Sequence, residues 1–129
     1  MESHDQKHFP RPKQIVDNII SASDAIRYVL VVDENGEEVY SKTTPKSIIG
    51  SERSGALAKD IHFLKGLLKM YNDIIGENTF THLIRSKGHV LMFDYANWIF
   101  LVSCERERSR HEIADISDKI EYIIKDHVK

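Results

Sequence analysis

The chain has 129 residues, a length that suits a single domain. Its composition is 41% hydrophobic and 29% charged with few glycines and prolines, which excludes disorder for the body of the chain. Eighteen basic and twenty acidic residues give a formal net charge of −2, so no electrostatic footprint for nucleic acid or an anionic membrane is present.

The first twelve residues, 1–12, form a polar segment with two histidines that ends in two prolines. Proline disfavours helix in the residue before it. The segment is therefore predicted to be a flexible tail, followed by one domain over residues 13–129.

A helix and a β-hairpin are predicted next. Apolar residues at helical spacing predict a first helix over residues 13–23. Residues 26–33 are rich in β-branched side chains and predict a strand, and residues 37–43 predict a polar edge strand. Asn35-Gly36 lies between them and is typical of a tight turn in which both positions have positive φ.

The second half of the chain predicts one long helix, three strands and a last helix. The long middle helix runs from about 51 to 75 and ends at Gly76, as helices commonly do. Ser109 and Glu112 have the spacing of a capping box that starts the last helix. The three strands between these helices are separated by two short turns and cover residues 79–86, 89–95 and 98–104.

Three of the strands are apolar at successive positions, over residues 28–32, 90–93 and 98–102. Successive side chains of a strand point to opposite faces of the sheet. Both faces must therefore be covered, which predicts an α+β domain of order α-β-β-α-β-β-β-α. The first and last helices cover one face, and the middle helix covers the other.

The middle helix carries two neighbouring apolar stripes, about 180° of its circumference against ~100° for an ordinary surface helix. One stripe is sufficient to pack on the sheet: Leu57, Ile61, Leu64, Leu68, Tyr71 and Ile75. The second stripe is Phe63, Leu67, Met70 and Ile74. Either other parts of the same chain, such as the 45–50 connection with Ile48 and Ile49, cover this second stripe, or the stripe is an interface, which is the favoured interpretation.

The element order and the hairpin segment VVDENGEEVYSK resemble the roadblock (dynein light-chain) family of profilin-like α/β modules, including small archaeal proteins of this kind. The resemblance covers roughly residues 13–128. It implies a five-stranded antiparallel sheet in the order 2-1-5-4-3, with the first and last helices on one face and the middle helix on the other.

The resemblance also implies a function. Members dimerise through the middle helix and the third strand, and many are scaffolds or regulators of small Ras-like GTPases. The expected partners are a second copy of the chain, another roadblock-like protein or a small GTPase. The alternative is a ligand-sensing domain of the PAS or Cache type. The interface expected here comprises Phe63, Leu67, Met70, Ile74, Thr79, Thr81 and Leu83.

Little in the sequence indicates an enzyme, a cofactor or a metal. Phosphate-cradling and zincin motifs are absent. His82 and His89 flank a hairpin turn and can approach each other, but two imidazoles alone make a poor metal site. Cys104, His111 and Asp94 have the residue types of a thiol nucleophile, yet an inert, partly buried cysteine is the commoner outcome.

The expected location is the cytoplasm. Cys104 is the one cysteine, which excludes an internal disulfide and suits a reducing compartment. The apolar runs are far shorter than the ~18 residues of a membrane span, and residues 1–14 are polar.

Overall fold

The computed structural model of the protein describes residues 11–127, so most of the predicted tail lies outside the described residues. The elements are helix α1 (Pro12–Ser21), strands β1 (Ile26–Val32) and β2 (Glu38–Thr43), helix α2 (Ser54–Leu68), strands β3 (Phe80–Arg85), β4 (Gly88–Tyr95) and β5 (Trp98–Glu105), and helix α3 (Arg110–His127). This order confirms the predicted α-β-β-α-β-β-β-α arrangement.

The five strands form one antiparallel sheet in the order β2-β1-β5-β4-β3, as predicted. The apolar strands β1, β5 and β4 occupy its centre. Every residue of β1 is buried, whereas β2 and β3 are largely exposed or half-buried. Continuous apolar runs therefore correctly identified the strands that are covered on both faces.

Two separate hydrophobic cores lie on the two faces of the sheet. One core joins α1 and α3 to the face that carries Val29, Phe100 and Val102. The other core joins α2 to the face that carries Leu30 and Leu101. The expected distribution of helices, α1 and α3 against α2, is confirmed.

The β1–β2 hairpin has a different turn from the one predicted. Among Asp33 to Glu37, Gly36 has a positive φ of 79° and Asn35 does not. Asp33 Oδ1 accepts hydrogen bonds from the amides of Asn35 (2.8 Å) and Glu37 (3.0 Å). The side chain of Asp33 therefore stabilises a three-residue loop that ends in a left-handed glycine. The two-residue turn with two positive φ angles occurs instead at Ala96 and Asn97, between β4 and β5.

The middle helix is interrupted, which corrects the prediction of one continuous helix. A 3₁₀ turn (Ser51–Arg53) precedes α2, and a second 3₁₀ turn (Lys69–Tyr71) with a short helical turn (Asn72–Ile75) follows it. Gly76, with a φ of 90°, ends this segment as expected.

The start of α2 lies close to the sheet and its end does not. Ser54, Ala58 and Ile61 are buried, and the two small residues let the helix approach the strands closely. The Ser54 hydroxyl lies 2.7 Å from the Tyr28 hydroxyl and donates to Ser41 Oγ at 3.2 Å. Three residues of the predicted sheet-facing stripe are instead exposed: Leu68, Tyr71 and Ile75. Leu68 is the last residue of α2, and Tyr71 and Ile75 lie after the helix is interrupted.

Helix α3 begins with the predicted capping box. The amide of Ser109 donates to Glu112 Oε1 at 2.9 Å, and the amide of Glu112 donates to Ser109 Oγ at 3.2 Å. Arg108 precedes this cap and pairs with Asp24 and Glu105, so the alternating charges are neutralised locally. None of the helices within residues 11–127 has the length and apolar content that a membrane span requires.

Candidate interaction surface

The second stripe of the middle helix is exposed to solvent. The side chains of Phe63, Leu67, Met70 and Ile74 keep 69%, 49%, 68% and 77% of their surface, respectively. Contiguous exposed apolar surface on a folded domain usually marks an interaction site. These four residues are called the apolar stripe below.

The 45–50 connection does not cover the apolar stripe. Ile48 in this connection is itself 64% exposed, and Ile49 is half-buried. Both residues line a cavity near the first half of α2, away from Met70 and Ile74. The loop therefore leaves the stripe exposed, and no other segment of residues 11–127 covers it.

Strand β3 continues this surface at the edge of the sheet. Thr81 and Leu83 lie opposite Met92 and Val90 of β4, whose side chains belong to the α2 side, so both point towards α2. Thr79 is exposed and lies one residue before β3 begins. Thr79, Thr81 and Leu83 of the predicted interface therefore lie at the edge of the sheet beside α2.

The other face of β3 is also incompletely covered, which the sequence had not indicated. Phe80 and Ile84 alternate with Thr81 and Leu83 and point towards the α3 side. Both are exposed, although Phe80 contacts the ring of Phe93 with a centroid distance of 5.0 Å. The alternation of this strand is the signal that would have revealed two apolar faces at the sheet edge.

The two histidines beside the β3–β4 turn are in contact, as expected. His82 Nε2 lies 3.0 Å from His89 Nδ1, and His89 Nε2 lies 3.1 Å from the carbonyl oxygen of Arg108. A carbonyl only accepts, so His89 Nε2 donates to it, and in neutral His89 the Nδ1 atom accepts from His82. Burial, with the nearby His89 and Arg110, lowers the pKa of His82. Within residues 11–127 no third metal-binding side chain completes a site around any such pair.

The cysteine, histidine and carboxylate of the thiol hypothesis do not come together. Cys104 is buried in the α1–α3 core, and burial raises the pKa of its thiol to about 12. Asp94 lies opposite Ile99, five residues along β5 from Cys104, which is roughly 17 Å at ~3.4 Å per residue. His111 is exposed at the start of α3. The geometry favours an inert structural thiol.

The sequence matches no protein-family model and no curated protein. Its structure is similar to solved structures. The gliding protein MglB from Thermus thermophilus superimposes with a TM-score of 0.73 at 10% identity, over 94% of this chain and 90% of that one. A Roadblock/LC7 domain from Streptomyces avermitilis gives a TM-score of 0.72 at 8% identity, over 91% and 94%.

This is the roadblock fold. Myxococcus xanthus MglB, with 21% identity and a TM-score of 0.63 over 90% of this chain and 89% of that one, has it too. The resemblance inferred from the hairpin and the element order is thereby confirmed at the level of the fold. Identities of this size do not allow the role of a residue to be transferred from one protein to another. The function of the apolar stripe and of strand β3 therefore depends on their own geometry.

Proposed function

We propose that the protein is a non-catalytic interaction module that forms a homodimer through α2, the segment that follows it and strand β3. The observation that carries this proposal is the exposure of the four side chains of the apolar stripe. Such a surface is costly to leave in water, because apolar burial contributes about 25 cal/mol per Å².

The position of the apolar stripe beside a sheet edge supports the same proposal. In residues 11–127, β3 pairs only with β4, so its outer backbone groups remain available to another chain. A two-fold dimer would place the same patch of each copy against the other. The interface would then combine side-chain packing from α2 with contacts along β3, and it would include Thr79, Thr81 and Leu83.

Structures with the same fold support an interaction role. One MglB structure has a tetrameric arrangement, with a TM-score of 0.72. LokiProfilin1, with a TM-score of 0.53, is solved in complex with rabbit actin. By its resemblance to roadblock proteins, the dimer proposed here would serve as a scaffold or regulator for a small GTPase or a second roadblock-like protein in the cytoplasm.

The molar mass in solution tests the proposal. Light scattering on a sizing column is expected to give twice the 14.9 kDa of one chain. A monomer at concentrations of about 100 μM would contradict a functional homodimer, since that result corresponds to a dissociation free energy below roughly 5.5 kcal/mol.

The GTPase part needs a separate measurement. Sedimentation of the protein with a Ras-like GTPase of the same organism, loaded with GDP or a GTP analogue, is expected to give a complex that depends on the nucleotide. If none of these GTPases forms a complex, the proposed partner is wrong, but the proposed dimer is unaffected.

A further inference from the structure

A cavity of about 400 Å³ lies between the first half of α2 and the sheet. This volume is within the ~300–1,000 Å³ of small-molecule sites. The cavity lies where Leu57 and Ile61 of α2 face Leu83 and Val90 of strands β3 and β4. Its walls are apolar and come from the 45–50 connection, α2 and three strands: Ile49, Leu57, Ile61, Leu83, Val90 and Leu101.

One wall of this cavity holds a buried cation. The side chain of Arg27 is only 9% exposed. Its Nη2 donates to the carbonyl oxygen of Lys87 at 2.9 Å, but its Nε has no hydrogen-bond partner. No Asp or Glu within residues 11–127 forms a salt bridge with this guanidinium. Buried arginines are normally paired with a carboxylate, which this guanidinium lacks among the described residues, and its Nε is itself enclosed by the protein.

The backbone makes room for this arginine. Gly88 lies under the guanidinium, and a Cβ at this position would collide with Nη2 of Arg27 and lie 3.0 Å from the carbonyl oxygen of Cys104. The other charged residues that line the cavity, Arg85 and Lys87, are exposed at its mouth and are also cationic. The site therefore combines apolar walls with three cationic side chains, and none of its lining residues within 11–127 is acidic.

We propose that this cavity binds a small amphiphile with an apolar body and a carboxylate head. The carboxylate pairs with the part of the Arg27 guanidinium that lines the cavity, in a charge-assisted interaction that is stronger than one between neutral groups. The apolar body lies between α2 and the sheet, against Leu57, Ile61 and Leu101. A cationic or neutral head would leave the buried guanidinium without its partner.

Binding of decanoate to this chain tests the site. It is measured as changes in the amide signals of Gly88 and Ser103 in two-dimensional NMR. Decan-1-ol and decyltrimethylammonium are matched probes with the same apolar body and no carboxylate. Decanoate is expected to bind at least about tenfold more tightly than either probe, the minimum for one charged hydrogen bond. A short apolar peptide with a free C-terminal carboxylate, compared with its amide, distinguishes a free acid from a chain terminus as the source of the head group.

Two variants locate the site, and a third is the control. Arg27→Met keeps the stem but removes the charge, and it is expected to weaken decanoate binding roughly 10- to 100-fold. Leu57→Trp fills the cavity from a half-exposed helix position and is expected to abolish binding while the fold persists. Arg106→Met removes an arginine that is exposed outside the cavity, and it is expected to bind as the wild type does.

Three results would overturn the proposal. The first is that decanoate at about 1 mM, a weak-binding limit near 4 kcal/mol, moves neither amide signal. The second is a folded Arg27→Met or Leu57→Trp variant that binds decanoate like the wild type. The third is that the Leu67→Lys monomer binds decanoate and the wild type does not. In that case a second copy of the chain would fill the cavity of the native protein.

Discussion

Replacing Leu67 with lysine separates the proposed interface from the core of the monomer. Leu67 is 49% exposed, so roughly half of its surface is still available for burial by a partner. Complete burial of a leucine side chain contributes about 1.5–3 kcal/mol, so half of it contributes about 0.7–1.5 kcal/mol in each copy.

A two-fold dimer contains this residue twice, so the substitution is expected to weaken association by about 1.5–3 kcal/mol, or roughly 10- to 150-fold. This is a lower bound, because two ammonium groups would also have to be desolvated or to distort the interface. The fold of the monomer is expected to persist, since lysine at an exposed helical position keeps its charge in water.

Sedimentation equilibrium of Leu67→Lys, with circular dichroism at the same concentration, measures both effects. Tyr122→Lys is the matched control, because Tyr122 is 72% exposed on α3, which forms no part of the proposed surface. A Leu67→Lys variant that dimerises like Tyr122→Lys would refute the interface. Loss of helical signal would instead assign Leu67 to the core.

Three further predictions concern stability and reactivity. Ser109→Ala removes the side-chain cap of α3 and is expected to lower the free energy of unfolding by ~1 kcal/mol in urea denaturation, whereas an unchanged midpoint would contradict a role for the cap. The pKa of His82 is lowered in the folded state, so protonation of this side chain opposes folding. Its contribution to the free energy of unfolding is therefore fully present above about pH 6.5 and is lost as the pH falls below this value. The free energy of unfolding of His82→Asn, measured by urea titration, should therefore change less between about pH 7.5 and pH 5.5 than that of the wild type. An equal change would exclude His82 as the cause. Native Cys104 is expected to resist a thiol reagent such as DTNB at about pH 8 and to react once urea unfolds the chain, because the buried thiol has a pKa of about 12.

The apolar runs of the central strands predicted the layered fold, because they require cover on both faces wherever the strands lie. Turn geometry was less predictable. Asn35-Gly36 marked the position of the first hairpin. The Asp33 carboxylate, however, stabilises a longer loop because it accepts hydrogen bonds from two backbone amides. The turn type thus depends on a side chain outside the dipeptide.

The middle helix shows which structural features helical periodicity does not predict. Helical spacing identifies side chains that share a face, but it does not measure the length of the surface beneath them. Helical spacing assigned Leu68, Tyr71 and Ile75 to the face of Ile61, but the helix is interrupted after Leu68 and all three are exposed. The cavity was unpredictable for a related reason, since it depends on the distance between α2 and the strands. Arg27 had no sequence signal, because it is placed by a register shift in β1 and by the space over Gly88.

The two edges of the sheet differ in a way that limits growth of an assembly. At the β2 edge, Lys42 pairs with Asp17 of α1, and Glu38 accepts a hydrogen bond from Ser41, so charge and a helix protect this strand. Within residues 11–127, no ion pair and no helix covers the β3 edge in this way. A chain with one open and one closed edge can be extended a single time along the sheet, because joining two open edges leaves only closed ones outside. Edge-to-edge association would therefore stop at two copies and would not continue into a fibre.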